Sequence, residues 1–417
     1  MSSPGPQLNK RIGIIGAGPS GLTAADTLRR KGYTNITLLE RNDQAGGKCS
    51  SVQHEGRSYE LGAGVISENN LTVHDIAKRY GVEVKPLVFG ENLFLDAETG
   101  IPHPHMTLRQ KFAFITQLVF RYRKLVKRFQ HVTEPGLTLV DSELCMPFGE
   151  WAKKYRVEEV AREFANYFTG FGYGYFDRVP AAYVVKFYSW DTCKAFLRQQ
   201  IYIFPQGIQG LWTTVATAFN VRYNTTIQSI TRAETILVKT DSEDLVFDEL
   251  IITSPLDEAL KILDARTEEQ TLFSKIQYVN YRTYACTIKG FPKRSGHVPG
   301  NYTFERSGHP IFWYGRYVDS ELYTFYILSD WALSDDVARA NIEALIKPLG
   351  GSIATIEHAV HWKYFPHVSP TEMKAGYFDR LEALQGRDHT YYAGELLNFS
   401  SVDQSAWYAK TLIERFF

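Results

Sequence analysis

The chain has 417 residues, which at about 150 per domain gives two or three domains and enough length for a core without disulfides or structural metal. Its 46 basic and 46 acidic residues cancel, which argues against a dedicated nucleic-acid binder. With 44% apolar and 22% charged residues it is not a disordered chain, and 26 Phe, 25 Tyr and 7 Trp make 14% of it aromatic, enough for an ordinary core or for the lining of a large apolar cavity.

Met1 to Lys10 is polar and holds two prolines; the first apolar run, Ile12 to Ile15, is too short for a signal peptide or a membrane span. The four cysteines (Cys49, Cys145, Cys193, Cys286) are scattered, without a C-x-x-C pair, as suits a reducing compartment. The expectation is a soluble cytoplasmic protein with no transmembrane segment.

In chain order, a β-prone run at Arg11 to Ile15 leads into Gly16-Ala17-Gly18-Pro19-Ser20-Gly21. A helix follows, with Leu22, Ala25 and Leu28 on one face and Gly32 past its end, and then a strand at Ile36 to Glu40. This is the β-turn-α-β form of a dinucleotide-binding unit. Gly16 permits the tight turn, Gly18 lets the backbone approach a pyrophosphate, and Gly21 allows helix and strand to pack closely. The helix N-terminus offers free N–H groups to the anion. Glu40, 19 residues after Gly21, is placed to accept hydrogen bonds from a ribose diol and would repel a 2′-phosphate.

Between Thr99 and Thr133 there are seven Lys/Arg and no Asp or Glu, with Phe112, Ile115, Leu118, Tyr122, Leu125, Val126 and Phe129 at helical spacing. The 109–129 stretch reads either as a helix packing its apolar face on the core, the commoner arrangement, or as one lying on an anionic membrane surface. Phe164 to Trp190 is densely aromatic, so 99–201 is expected to be a mainly helical insertion. Beyond it, a helix is predicted at Leu211 to Phe219, and strands at Tyr223 to Arg232, Thr235 to Thr240 and Glu249 to Thr253. A last strand runs from Thr390 to Glu395 and a last helix from about Asp403 to Arg415. His103-Pro104-His105 lacks a third ligand at useful spacing, so no metal site is expected.

Two further motifs favour FAD over NAD. Glu40-Arg41 is followed by Ala45-Gly46-Gly47-Lys48, which resembles the second phosphate-contacting loop of glutathione-reductase-type FAD proteins, notably flavin amine oxidases. Tyr392-Ala393-Gly394-Glu395 resembles the strand that ends in Gly-Glu against the ribityl chain in that superfamily. The similarity is closer still to the bacterial polyunsaturated fatty acid double-bond isomerase family. It is carried by the stretch from Phe171-Gly172-Tyr173-Gly174-Tyr175-Phe176 to Tyr183-Val184, by Trp362-Lys363-Tyr364-Phe365-Pro366-His367-Val368, by Lys374-Ala375-Gly376, and by the tail from Gln385-Gly386-Arg387 to Phe417.

That resemblance implies an α/β flavoprotein of the flavin amine oxidase-like fold. A Rossmann-like FAD-binding domain (1–98 plus 202–262 plus 386–417) would accompany a helical domain (99–201) and a mixed-sheet substrate domain (263–385). It implies non-covalent FAD held by Gly16, Gly18, Pro19, Ser20, Gly21, Glu40, Arg41, Gly46, Gly47, Lys48, Gly62, Ala63, Thr226, Ile227, Gly394 and Glu395. No cysteine follows Cys286 to form a thioether there. The implied reaction is redox-neutral: a hydride leaves a bis-allylic carbon for the flavin N5 and returns to a different carbon, moving a double bond into conjugation. Phe196 matches an aromatic that encloses the substrate's carboxylate end, and Tyr173, Tyr175 and Tyr188 are candidates for the tunnel wall. Lys275 stands where amine oxidases often carry a lysine near flavin N5; a surface lysine opening a strand is the equal alternative. The family's carboxylate-gripping arginine has no counterpart in Lys85-Pro86-Leu87-Val88-Phe89-Gly90-Glu91-Asn92. Either Lys85 substitutes for it or the apolar unsaturated substrate is not a free fatty acid, and the second reading is favoured. The alternative function is an oxidase or dehydrogenase of an amine or secondary-metabolite intermediate.

Overall fold

The computed structural model describes residues 8–88 and 90–417. Five parallel strands form the first sheet, in the spatial order Thr390–Tyr392, Glu249–Ile252, Ile12–Ile15, Ile36–Leu39, Asn220–Arg222. Ile12–Ile15 and Glu249–Ile252 are buried at every residue, as parallel strands covered on both faces require. Helix Pro19–Arg30 lies on one face and is tied to the C-terminal helix Val402–Phe416 by Ser20 Oγ donating to Ser405 O at 3.1 Å. The sheet is thus assembled from three well-separated stretches of chain.

A second, six-stranded sheet runs in the order Ser352–His367, Gln277–Lys289, Leu322–Ser329, Pro310–Tyr314, Gly296–His297, Leu93–Phe94. Its last strand lies within the stretch expected to belong to the FAD-binding part, yet it pairs in parallel with Gly296–His297. Between the two sheets in sequence comes the helical block. Thr107 caps helix Leu108–Gln117 with a reciprocal Gln110 capping box, and a π turn at Leu118–Tyr122 carries the helix on into Arg123–Arg128. Leu118, Tyr122, Val126 and Phe129 are buried. Among the described residues no helix is long and apolar enough to cross a membrane, and all four cysteines are buried and unpaired.

Several boundaries differ from the sequence expectation for local reasons. The strand predicted at Tyr223 to Arg232 starts only at Ile227, in a three-stranded antiparallel sheet, and a separate, unpredicted strand, Asn220–Arg222, precedes it in the parallel sheet. Asn224, turning left-handed (φ 52°), lies between the two. The strand predicted to reach Glu395 stops at Tyr392, because Gly394 turns the chain with φ 118°.

A buried ionic knot ties these pieces together. Arg232, with its side chain fully buried, donates through Nη1 and Nη2 to Glu269 Oε1 and Oε2 at 2.7 and 2.8 Å and through Nε to Asp264 Oδ1 at 2.7 Å. Tyr392 Oη donates to Glu269 Oε1 at 2.5 Å, joining the antiparallel sheet, helix Thr267–Phe273 and the last parallel strand. Removing one member leaves a buried charge unpaired. Arg232→Met should therefore lose about 3–5 kcal/mol of stability in denaturant titration, and Arg232→Met/Glu269→Leu should recover part of it. Equal stability of the single variant and the wild type would show that the knot carries no weight.

Candidate active site

The strand Ile12–Ile15 ends in Gly16, whose φ of 100° is accessible to glycine. A Cβ on Gly21 would lie 2.0 Å from Gly16 O, so the helix begins in direct contact with the strand end. Thr253 closes this corner: its Oγ1 donates to Ile15 O at 2.7 Å and would sit 2.8 Å from a Cβ on Gly16. Gly394 packs against Thr253 from the other side, where an added Cβ would meet its carbonyl at 3.2 Å. No side chain caps the helix at Gly18, Pro19 opens it, and its first turn holds no acid, so its amides stay available to an anion.

Glu40 is buried, with Oε2 accepting from Ala17 N and Oε1 from Asn42 N, both at 2.9 Å. The second glycine loop is tied to the first by Gly46 N donating to Ala17 O at 3.0 Å. Gly18 and Gly47 face one another, so that a Cβ on Gly18 would stand 3.8 Å from the Gly47 Cα. Lys48 Nζ meets Glu395 Oε2 at 2.8 Å and lies 5.2 Å from the Tyr364 ring centre. A Cβ on Gly62 would collide with Lys48 O at 1.9 Å, and Ala63 N donates to that same carbonyl at 3.3 Å. The chain thus brings together Gly16 to Gly21, Glu40, Gly46 to Lys48, Gly62, Ala63, Gly394 and Glu395.

Other expected cofactor residues lie differently. Ser20 is turned toward the C-terminal helix, and Arg41 is exposed. Thr226 is exposed and exchanges hydrogen bonds with Asp241, and Ile227 opens its strand. It is Thr225 whose amide reaches Glu40 O, at 2.9 Å.

Next to this cradle is a cavity of about 270 Å³. Its walls include Gly62 to Ser67 and Ser401, Val402 and Gln404 near the cradle, and Leu87, Val88, Asn92, Lys293 and Arg294 where Val88 and Val318 stand in solvent. One wall is a row of stacked rings crossing the large sheet strand by strand. Tyr173 stacks on Tyr364 (5.8 Å between centres), Tyr364 on Tyr281 (5.2 Å), and Tyr281 on Tyr326 (5.7 Å). Tyr326 stacks on Phe312 (5.4 Å), Phe312 lies tilted against His297 (4.6 Å), and His297 stacks on Phe94 (5.3 Å). Opposite, helical Tyr167 packs on Phe196 at 4.7 Å.

Of the aromatics predicted for a tunnel, Phe196 and Tyr173 line this cavity. Tyr175 and Tyr188 do not. Tyr188 stacks on Phe164 at 3.6 Å and donates to Phe164 O, while Tyr175 donates to Leu328 O, so both satisfy their hydroxyls inside the core. Lys275 is absent from the cavity wall and pairs at 2.7 Å with Glu372 instead. His105 stacks on Phe94 and bonds Glu163 at 2.8 Å.

Two polar groups of the inner wall, His297 and Glu60, are locked. Burial, with His105 adding to it, pushes the His297 imidazole down to about 3, and its Nδ1 bonds Tyr302 Oη at 2.9 Å, so it stays neutral. Glu60, whose carboxyl burial pushes up against the pull of Arg316, is held by Arg316 Nη1 at 2.8 Å, by Ser51 Oγ and by Ile208 N. Burial drives Tyr173, Tyr281, Tyr326 and Tyr364 upward. Thr253, the Lys293–Arg294 pair and, apart from Tyr173 and Tyr364, the ring row carry no local sequence signal.

Residues 19–401 match the family described as flavin containing amine oxidoreductase. The chain belongs to that family. It is an enzyme of oxidoreductase or isomerase type, and FAD is its cofactor. Among solved structures, a CLA-producing fatty acid isomerase from P. acnes superposes on this flavin amine oxidoreductase with a TM-score of 0.92 at 33% identity, over 99% of this chain and 100% of that one. A putrescine oxidase shares the fold at 14% identity, with a TM-score of 0.71 over 98% and 99% of the two chains. Among curated relatives, a β-cyclopiazonate dehydrogenase from Aspergillus flavus is 25% identical over 93% of this chain and 88% of its own. A FAD-dependent oxidoreductase from Colletotrichum higginsianum is 24% identical over 92% and 88%.

The facing Gly18 and Gly47 give the cradle its test. Gly18 has an ordinary φ of −81° and an added methyl would touch only Gly47, so Gly18→Ala should fold normally. It should lose FAD at least about tenfold more readily, equivalent to ~1.4 kcal/mol, as measured by flavin retained on dialysis. Unchanged retention would show that the pyrophosphate does not pass between these loops.

Proposed function

We propose that the enzyme is a double-bond isomerase acting on a long, apolar, polyunsaturated, fatty-acid-like substrate. The observation that carries this reading is the aromatic cavity opening beside the FAD cradle, with its inner polar side chains His297 and Glu60 held in hydrogen bonds. The high similarity to a fatty acid isomerase over the full chain supports it. Bound non-covalently, FAD would supply hydride acceptance and return. Gly16, Gly18, Glu40, Gly46, Gly47, Gly62 and Glu395 would hold it, and the chain's own task is orientation and exclusion of water. The packed ring row gives the substrate an apolar wall that does not yield, and Phe196 with Tyr167 closes the other side.

Against the sequence-based preference for a substrate without a free carboxylate, we take the cation missing from the 85–92 stretch to be replaced across the cavity mouth. Lys85 is exposed, pairs with Glu83 at 3.1 Å and is not part of the wall. Leu93 N donates to Ser295 O at 2.9 Å, which sets Glu91 and Asn92 beside Arg294 and Ser295. Arg294 and Lys293 line the mouth there; Lys293 Nζ also donates to Ser320 O at 2.8 Å, and Arg294 has only a loose, exposed contact with Glu91 at 3.4 Å. These two cations would hold a free carboxylate while the chain runs inward toward the flavin. The second reading, a dehydrogenase or oxidase of a secondary-metabolite intermediate, is favoured by the names of the curated relatives.

Two measurements separate these readings. Holoenzyme given polyunsaturated fatty acids under air should generate conjugated-diene absorbance without consuming oxygen; stoichiometric peroxide would favour the oxidase instead. In titrations followed by the flavin spectrum, a free acid should bind at least about tenfold tighter than its methyl ester, a ~1.4 kcal/mol difference that Lys293→Gln/Arg294→Gln abolishes. An ester that binds as well as the acid would remove these cations from substrate recognition.

A further inference from the structure

The helical segment running from Leu108 to Arg128 has a second apolar stripe that the core does not use. Leu118, Tyr122, Val126 and Phe129 face inward, whereas Leu108 is 85% exposed, Phe112 76%, Ile115 47% and Phe120 64%. Relative to Phe112, Leu108 lies four residues back, Ile115 three on and Phe120 eight on, the spacing that puts side chains on one helix face. Scattered exposed apolar residues are ordinary on a protein surface, but four large ones in one helical stripe are not.

The charges carried by this stretch itself are all of one sign, although acids of the neighbouring helix, Glu159 and Glu163, touch it at Gln117 and His105. From Thr99 to Thr133 there are seven Lys/Arg and no acid. Arg128 is engaged by Glu143, Arg121 by the Arg156 carbonyl, and Arg123 by the face of Trp190. Arg109, Lys111, Lys124 and Lys127 are exposed and make no ion pair among the described residues. An isologous contact with a second copy would set this basic stretch against itself, so charge disfavours self-association through it. An anionic bilayer offers both halves of what the surface lacks, hydrocarbon for Leu108, Phe112, Ile115 and Phe120 and phosphate for the lysines and arginines.

We infer that this stripe docks the enzyme on the surface of anionic phospholipid bilayers, with the helix lying in the interface and spanning nothing. The inference rests on exposure and charge and is independent of the isomerase reading. It is tested by floating purified holoenzyme with vesicles of phosphatidylcholine alone or containing about one-third phosphatidylglycerol. Wild-type protein should float with the anionic vesicles, at least about tenfold more than with the neutral ones, and detach in high salt. Phe112→Ser/Phe120→Ser and Lys124→Glu/Lys127→Glu should each lose flotation while keeping the flavin spectrum and turnover of detergent-dispersed substrate. Absent flotation, equal flotation with neutral vesicles, or flotation that survives both variants would overturn the inference. So would a dimer in solution dissolved by Phe112→Ser/Phe120→Ser, which would give the stripe to a second copy.

Discussion

The rest of the site depends on the stacking of one ring from each strand of the large sheet. Tyr364, Tyr281, Tyr326, Phe312, His297 and Phe94 come from six successive strands, and each touches the next. Because side chains alternate across a strand, a slip of one residue in any pairing would throw its ring to the opposite face. The row therefore fixes register and cavity wall together. At its inner end Tyr173 joins it to the helical block and Lys48 joins it to the FAD cradle. Cavity wall and glycine loops are in this way held by one continuous set of contacts.

The cradle has a comparable economy. Thr253 sits where Gly16, Gly21 and Gly394 converge, so the first and last cofactor loops are referenced to one side chain at the end of a central strand. The strand Arg57–Glu60 is anchored to the end of strand Pro310–Tyr314 by Glu60 and Arg316, whose side chains are each 2% exposed. On the proposed reading, such a site would leave the chemistry to FAD and use its inner polar groups for position. That suits a reaction in which the substrate must neither shift nor meet water while a hydride is away from it.

How much of this could be read from the sequence follows from the range of the interactions. The glycine turns and Glu40 were legible because their roles are local: φ near 100° at Gly16, or an amide of Ala17 at 2.9 Å from Glu40, is written within a few dozen residues. The strands and the terminal helices followed from periodicity, and their errors fall where one residue turns the chain, as at Asn224 and Gly394. Tyr188 and Tyr173 look alike in a run of aromatics; only the tertiary partner, Phe164 for one and Tyr364 for the other, separates core from wall. Lys275 illustrates the limit of reading a position from resemblance, since Glu372, 97 residues away, decides where it points. Arg294 and Lys293 reach the mouth through strand pairing at Leu93 and Gly296, which no local pattern announces.

The central claim is that the enzyme moves a hydrogen within one substrate molecule and leaves its oxidation state unchanged. Its most direct test is turnover, without oxygen, of a polyunsaturated fatty acid deuterated at the bis-allylic carbon, with the product read by mass spectrometry and NMR. The account predicts a conjugated product of unchanged mass with the deuterium on a different carbon of the same chain. A product two hydrogens poorer, or no turnover until an electron acceptor is added, would contradict it.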